Sequence, residues 1–244
     1  MALASIISLI LFVIIAVLVF RFIKNTVKSI LLLLAILFFV SVAGGILIYA
    51  DANDFRQNFP AIPSLYLLEK DGRVVAGFYG AFSETSQPFL TKKDRLSEYQ
   101  AYYEEEELDK IKGDYYKIFI FKSESFDYIT EVQTEGEVLS RETIFDLLSS
   151  DTPVNDYLIL KEMPLDQRSN LLNQLKLEDK SQFKALLFVL LFSKSLDEKG
   201  PLFTFTEFKQ GNVVIYPESA ITSLIKEIPL SLLDNLILKV SGGE

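Results

Sequence analysis

The chain has 244 residues, 24 basic and 33 acidic for a net charge of −9, half of them hydrophobic, and contains no His, Cys or Trp. Without Cys there is no disulfide scaffold, thiol nucleophile or thiolate metal site, and without His the Ser–His–Asp and Cys–His machineries and a conventional zinc site are excluded. All the charge of the first fifty residues is basic, namely Arg21, Lys24 and Lys28, so residues 51–244 hold 21 basic and 33 acidic side chains, a net charge of −12. Such a surface argues against nucleic acid and against an anionic lipid surface.

Two uncharged apolar runs, Ala2–Phe20 and Ile30–Ala50, open the chain. As helices rising about 1.5 Å per residue, they are roughly 28–31 Å long, enough for a hydrocarbon core of about 30 Å. The second run has fourteen Leu, Ile, Val or Phe among its twenty-one residues. They favour insertion by about 4–8 kcal/mol with no charge to oppose them. The expected architecture is therefore a two-helix transmembrane hairpin over residues 1–50. No charged side chain precedes the first run, and Val19-Phe20-Arg21 is a poor cleavage site, so it does not read as a signal peptide. Arg21, Lys24 and Lys28 place the connector in the cytoplasm and the remainder of the chain outside it. Ala4-x-x-x-Ser8 and Ser41-x-x-x-Gly45 have the small-residue spacing that lets membrane helices pack on each other or on a second copy.

Residues 51–64, with Pro60 and Pro63, read as a juxtamembrane spacer. Residues 65–240 read as one acidic α+β domain of about five strands, two of its strand pairs being β-hairpins. Ser64–Lys70, Asp71-Gly72 and Arg73–Gly80 form the first hairpin, because a type I′ turn needs positive φ at both central positions. An unbroken ladder from that turn pairs Leu68 with Val75, Leu67 with Ala76 and Leu65 with Phe78. Thr91–Gly113 reads as helical and Tyr115–Phe121 as a strand, followed by a polar crossing to Leu139. Ser140 is placed to cap a helix through Leu148, and Pro153 to open another. A short helix follows Pro164, and Ser181–Lys199 is a buried central helix stopped by Gly200-Pro201. Leu202–Thr206 alternates like a half-exposed strand and Asn212–Tyr216 completes a second hairpin. Ile221, Leu224, Ile225 and Ile228 have helical spacing, and a last apolar helix covers Leu230–Leu238.

No phosphate loop, dinucleotide fingerprint or Ca²⁺ loop is present. The acidic run Glu104-Glu105-Glu106-Glu107-Leu108-Asp109 is expected to be a solvated helical face, with Glu106 paired to Lys110 at i,i+4, rather than a cation site. Ser123-Glu124-Ser125 and Ser193-Lys194-Ser195 invite a Ser–Lys reading, in which a desolvated Lys194 of lowered pKa activates a serine. No third group orients that pair, so the residues are expected to finish a helix instead. No catalytic residue is assigned, and no cofactor or metal is expected. The expected function is a membrane-anchored protein whose extracytoplasmic domain acts in protein–protein interaction or envelope assembly. Its partners are the bilayer, through two helices, and a protein or a second copy. The alternatives are an envelope hydrolase using carboxylates or a Ser–Lys pair, and a sensor holding a ligand on the sheet's apolar face.

Overall fold

A computed structural model of the chain describes Phe12 and residues 26–81, 89–91, 93–134, 137–174, 178–200 and 202–229. The residues separate into two compact units, Met1–Ala52 and Asn53–Glu244. Helix α1, Thr26–Asn58, contains a stretch of mean hydropathy 2.9, none of it buried, and is the one helix among the described residues long and apolar enough to cross a membrane. Apart from Phe12, which is helical, the first apolar run lies outside the described residues. The helix outlasts its apolar run by eight residues and stops two short of Pro60, whose ring excludes a helical predecessor. Within the second unit this last turn is tied down. Tyr116 Oη donates to Asp54 Oδ2 at 2.6 Å, and Phe55 stacks on Phe59 with centroids 4.4 Å apart.

The second unit is an α+β fold. Its strands are β1 (Ser64–Lys70), β2 (Arg73–Gly80), β3 (Phe89–Leu90), β4 (Ile118–Lys122), β5 (Glu131–Thr134), β6 (Glu137–Ser140) and β7 (Val213–Tyr216). Five form a mixed sheet in the order β3-β2-β1-β4-β7, with β1 parallel to β4 and the other pairs antiparallel, while β5 and β6 make a separate hairpin. The helices after α1 are α2 (Lys93–Glu104), α3 (Leu108–Lys112), α4 (Arg141–Ser149), α5 (Pro153–Leu160), α6 (Leu165–Gln174), α7 (Glu178–Lys199), α8 (Phe203–Gln210) and α9 (Ala220–Glu227).

The sheet has helices on both faces, which is why β1 and β4 are near-continuous hydrophobic runs. Tyr66, Phe78, Phe119 and Phe121 point to one side, where they meet α4, α7 and α8. Leu65, Leu67, Ile118 and Ile120 point to the other, against α2 and α3. Three rings from adjacent strands form a ladder: Tyr66 stacks on Phe78 at 4.8 Å and on Phe119 at 5.0 Å, both 10° from parallel. Phe188 and Phe192 of α7 close over it at tilted angles. Such aromatic contacts add about 0.5–1.5 kcal/mol each beyond area burial.

Several local expectations are met. Asp71 and Gly72 have φ of 54° and 78°, as the hairpin turn requires. Ser140 Oγ accepts from the Thr143 N–H at 3.1 Å, and Pro153 opens α5.

Others are corrected. A bulge between Leu68 and Glu69 shifts the hairpin register, so Leu68 faces Ala76, Leu67 faces Gly77 and Leu65 faces Tyr79. Leu202–Thr206 is not a strand but the start of α8. Phe203, Glu207 and Phe208 are buried at i, i+4 and i+5, and Gly211 at φ 84° closes the helix. The second hairpin is accordingly β5–β6, inside the expected polar crossing, and β7 pairs with β4 instead. The helix expected to reach Gly113 breaks after Glu104. Glu106 takes φ 58°, its N–H bonds to Tyr103 O, and the Glu107 N–H reaches back to Tyr102 O at 2.8 Å. That is a Schellman cap with glutamate in the place glycine usually fills. Residues 230–244, and with them the expected last helix, lie outside the described residues.

Candidate functional site

The bulge in β2 positions a cleft. Val74, beside the extra residue, turns its N–H to the Gln100 side chain of α2, whose Oε1 accepts it at 2.5 Å. Gln100 Nε2 then donates to Glu104 Oε1 at 2.6 Å and to Gly72 O at 3.3 Å. One carboxamide thus fastens α2 to the hairpin. Opposite, Lys70 Nζ donates to Ser149 Oγ at 2.9 Å, and Ser149 donates on to Phe145 O at 2.7 Å, fastening the end of α4 to β1. Between these attachments lies a half-open cleft of about 550 Å³, bounded by β2, α2, the α4–α5 turn and the start of α7. Its volume is that of a small-molecule or peptide-end site. Val75, Leu96, Leu148 and Pro153 supply apolar surface, Ser149, Ser150 and Ser181 hydroxyls, Arg73 and Lys184 positive charge, and Glu104 and Asp151 negative charge.

A second polar cluster lies at the other end of α7. Glu207 is 2 % exposed and takes a hydrogen bond from Lys199 Nζ at 2.8 Å and from Asn212 Nδ2 at 2.8 Å. Lys199 Nζ also sits 3.7 Å from the centroid of the Tyr128 ring. Burial pushes the Tyr128 hydroxyl up to about 12. The cluster joins the end of α7 to α8 and to the turn before β7.

The Ser–Lys candidates are not brought together. Ser195 is fully buried and donates to Leu191 O at 2.8 Å, a bond back into its own helix. Lys194 points to the surface, 2.9 Å from Glu198. The hydrogen bond that Lys194 donates to the Glu198 carboxylate raises the Lys194 ammonium pKa, against the lowered value an activating lysine needs. Ser123 contacts its neighbour Glu124, and buried Ser125 donates to Asn212 O at 2.9 Å, which secures the α8–β7 turn. In the acidic run the ion pair is Glu107–Lys110, not Glu106–Lys110, because the Schellman cap rotates Glu106 out of helical register. Among the described residues no three acidic side chains converge on a cation position. Both faces of the sheet are packed, so the cleft lies beside β2 rather than over the sheet's apolar face.

Sequence reasoning missed Arg73, Gln100 and the Lys199–Glu207 pair. The first two come from β2 and α2 and meet at a cleft created by a bulge, which leaves no periodic signal. Glu207 had a signal: it falls on the apolar stripe with Phe203 and Phe208 once the segment is read at helical period.

The domain also has an exposed aliphatic corner. Ile159 and Leu160 end α5, Glu162 at φ 52° turns the chain, and Leu165 begins α6. Leu165 is 71 % exposed, Ile159 and Leu160 about half, and Leu171 40 %. No side chain described from Leu165 to Leu172 is buried. No family model, curated protein or solved structure matches this chain.

Proposed function

We propose that this chain is a membrane-anchored interaction protein, held by the helical hairpin of residues 2–20 and 30–50, with its acidic domain outside the cytoplasm. The α5–α6 corner is the observation that carries this reading. An exposed helix none of whose described leucines is buried in its own domain keeps apolar surface in water, and contiguous surface of that kind marks contact sites on soluble domains. Its occupant is a second protein at the same membrane, a neighbouring copy included. The basic connector Arg21, Lys24 and Lys28 supports the orientation through the positive-inside bias, and the net charge of −12 beyond residue 50 suits a surface that does not lie on anionic lipid.

The test is a photo-reactive benzoylphenylalanine at Leu165 of the full chain, irradiated in native membranes. A discrete adduct is expected, lost when Leu160→Asp and Leu171→Asp are introduced together. An adduct of twice the chain's mass identifies a second copy, and another discrete mass a different protein. Recovery of unlinked monomer alone would contradict the reading.

A further inference from the structure

We propose that the cleft beside β2 binds the free C-terminal end of a peptide with an aliphatic last residue. The assignment is independent of the α5–α6 corner. Arg73 stands exposed at the cleft mouth and, among the described residues, its guanidinium makes no ion pair or hydrogen bond. A guanidinium presents a planar fork of donors that matches a carboxylate. Val75, Leu96 and Pro153 line the same cleft with apolar surface. Ser149 and Ser150 decide what kind of carboxylate fits. A hydroxyl has one donor and two acceptor positions. Ser149 spends its donor on Phe145 O and one acceptor position on Lys70, while Ser150 accepts from the Thr152 N–H and pairs with Asp156. Each keeps one acceptor position, suited to an N–H donor. Carboxylate, aliphatic side chain and amide N–H groups within the reach of a cleft this size are the features of a peptide end. A fatty acid lacks the N–H groups, and inorganic phosphate lacks an apolar part.

The experiment uses the full chain in nanodiscs of zwitterionic phosphatidylcholine and the tripeptide Gly-Ala-Leu, labelled with fluorescein at its amino end, followed by fluorescence anisotropy. The free acid is expected to bind saturably. Its C-terminal amide, and the free acid with Arg73→Gln, are expected to bind about tenfold more weakly or worse, the size of one lost charge-assisted contact. Arg73 is an exposed residue beside a hairpin turn, so the substitution leaves the fold in place. Leu165→Asp is expected to leave the affinity unchanged. The proposal is overturned if the free acid does not saturate, if acid and amide bind alike, if Arg73→Gln has no effect, or if octanoate displaces the peptide as well as unlabelled Gly-Ala-Leu does.

Discussion

Lys199 Nζ lies 2.8 Å from Oε1 of Glu207, a carboxylate that is 2 % exposed. The two residues come from α7 and α8, and Asn212 adds a third attachment just before β7. Removing the ammonium leaves a buried carboxylate with Asn212 alone, and breaking such pairs costs about 3 kcal/mol or more. Lys199→Met is therefore expected to lower the thermal midpoint of the full chain in detergent by roughly 6–12 °C, given about 2–4 °C per kcal/mol for a domain of this size. The double variant Lys199→Met, Glu207→Gln is expected to recover part of the loss, because no charge is then stranded. A single variant as stable as the parent would show that the pair does not hold α8 in place.

Six tyrosines among the described residues are raised above the ordinary phenol value, and three of them, Tyr66, Tyr99 and Tyr128, are raised furthest. Burial is the largest cause for Tyr66, Tyr99 and Tyr128, raising each above the ordinary phenol value of 10.0, with Tyr128 pushed up to about 12. A group whose folded pKa lies above its unfolded one binds its proton more tightly in the fold. Its stabilising contribution is complete below pH 10 and disappears as the pH rises from about 10 towards 12 and beyond. Ultraviolet titration of phenolate should show a late group that ionises together with unfolding, and Tyr128→Phe should remove one member of it. Simultaneous ionisation of all tyrosines near the ordinary value, with the fold intact, would contradict the burial of these hydroxyls.

Legibility in the sequence followed the range of the interactions. Asp71-Gly72, Ser140 and Pro153 act within three or four residues, and each does in the structure what its local chemistry implies. The register of the first hairpin does not follow from its turn, because the bulge at Leu68/Glu69 is stabilised from outside the hairpin, in part by Gln100 on α2. The bulge also sets Gly77 against Leu67, where an added Cβ would lie 2.8 Å from Leu67 Cδ2. Phe203-Thr204-Phe205-Thr206 fits a strand period over four residues, yet the period that decides is the longer one containing Glu207 and Phe208. Glutamate at the left-handed positions 106 and 162 hid two helix ends that glycine would have announced.

The candidate sites were less legible than the fold. The Ser193-Lys194-Ser195 triplet puts neighbouring side chains about 100° apart on a helix, so one is buried and the next meets solvent. The cleft assembles residues from four separated segments, and only the folded chain brings Arg73, Leu96, Ser149 and Pro153 around one volume. The exposed corner was visible only as leucines after Pro164. Their exposure depends on what α6 does not pack against.

The central claim is that α1 anchors a domain lying outside the cytoplasm, and membrane topology tests it most directly. The chain has no native Cys, so single cysteines at Asn25 in the basic connector and at exposed Gln210 in α8 can be labelled without background. In intact cells, a membrane-impermeant maleimide is expected to label Gln210→Cys and to leave Asn25→Cys unlabelled. Labelling of Asn25→Cys with protection of Gln210→Cys would contradict the account and put the domain in the cytoplasm.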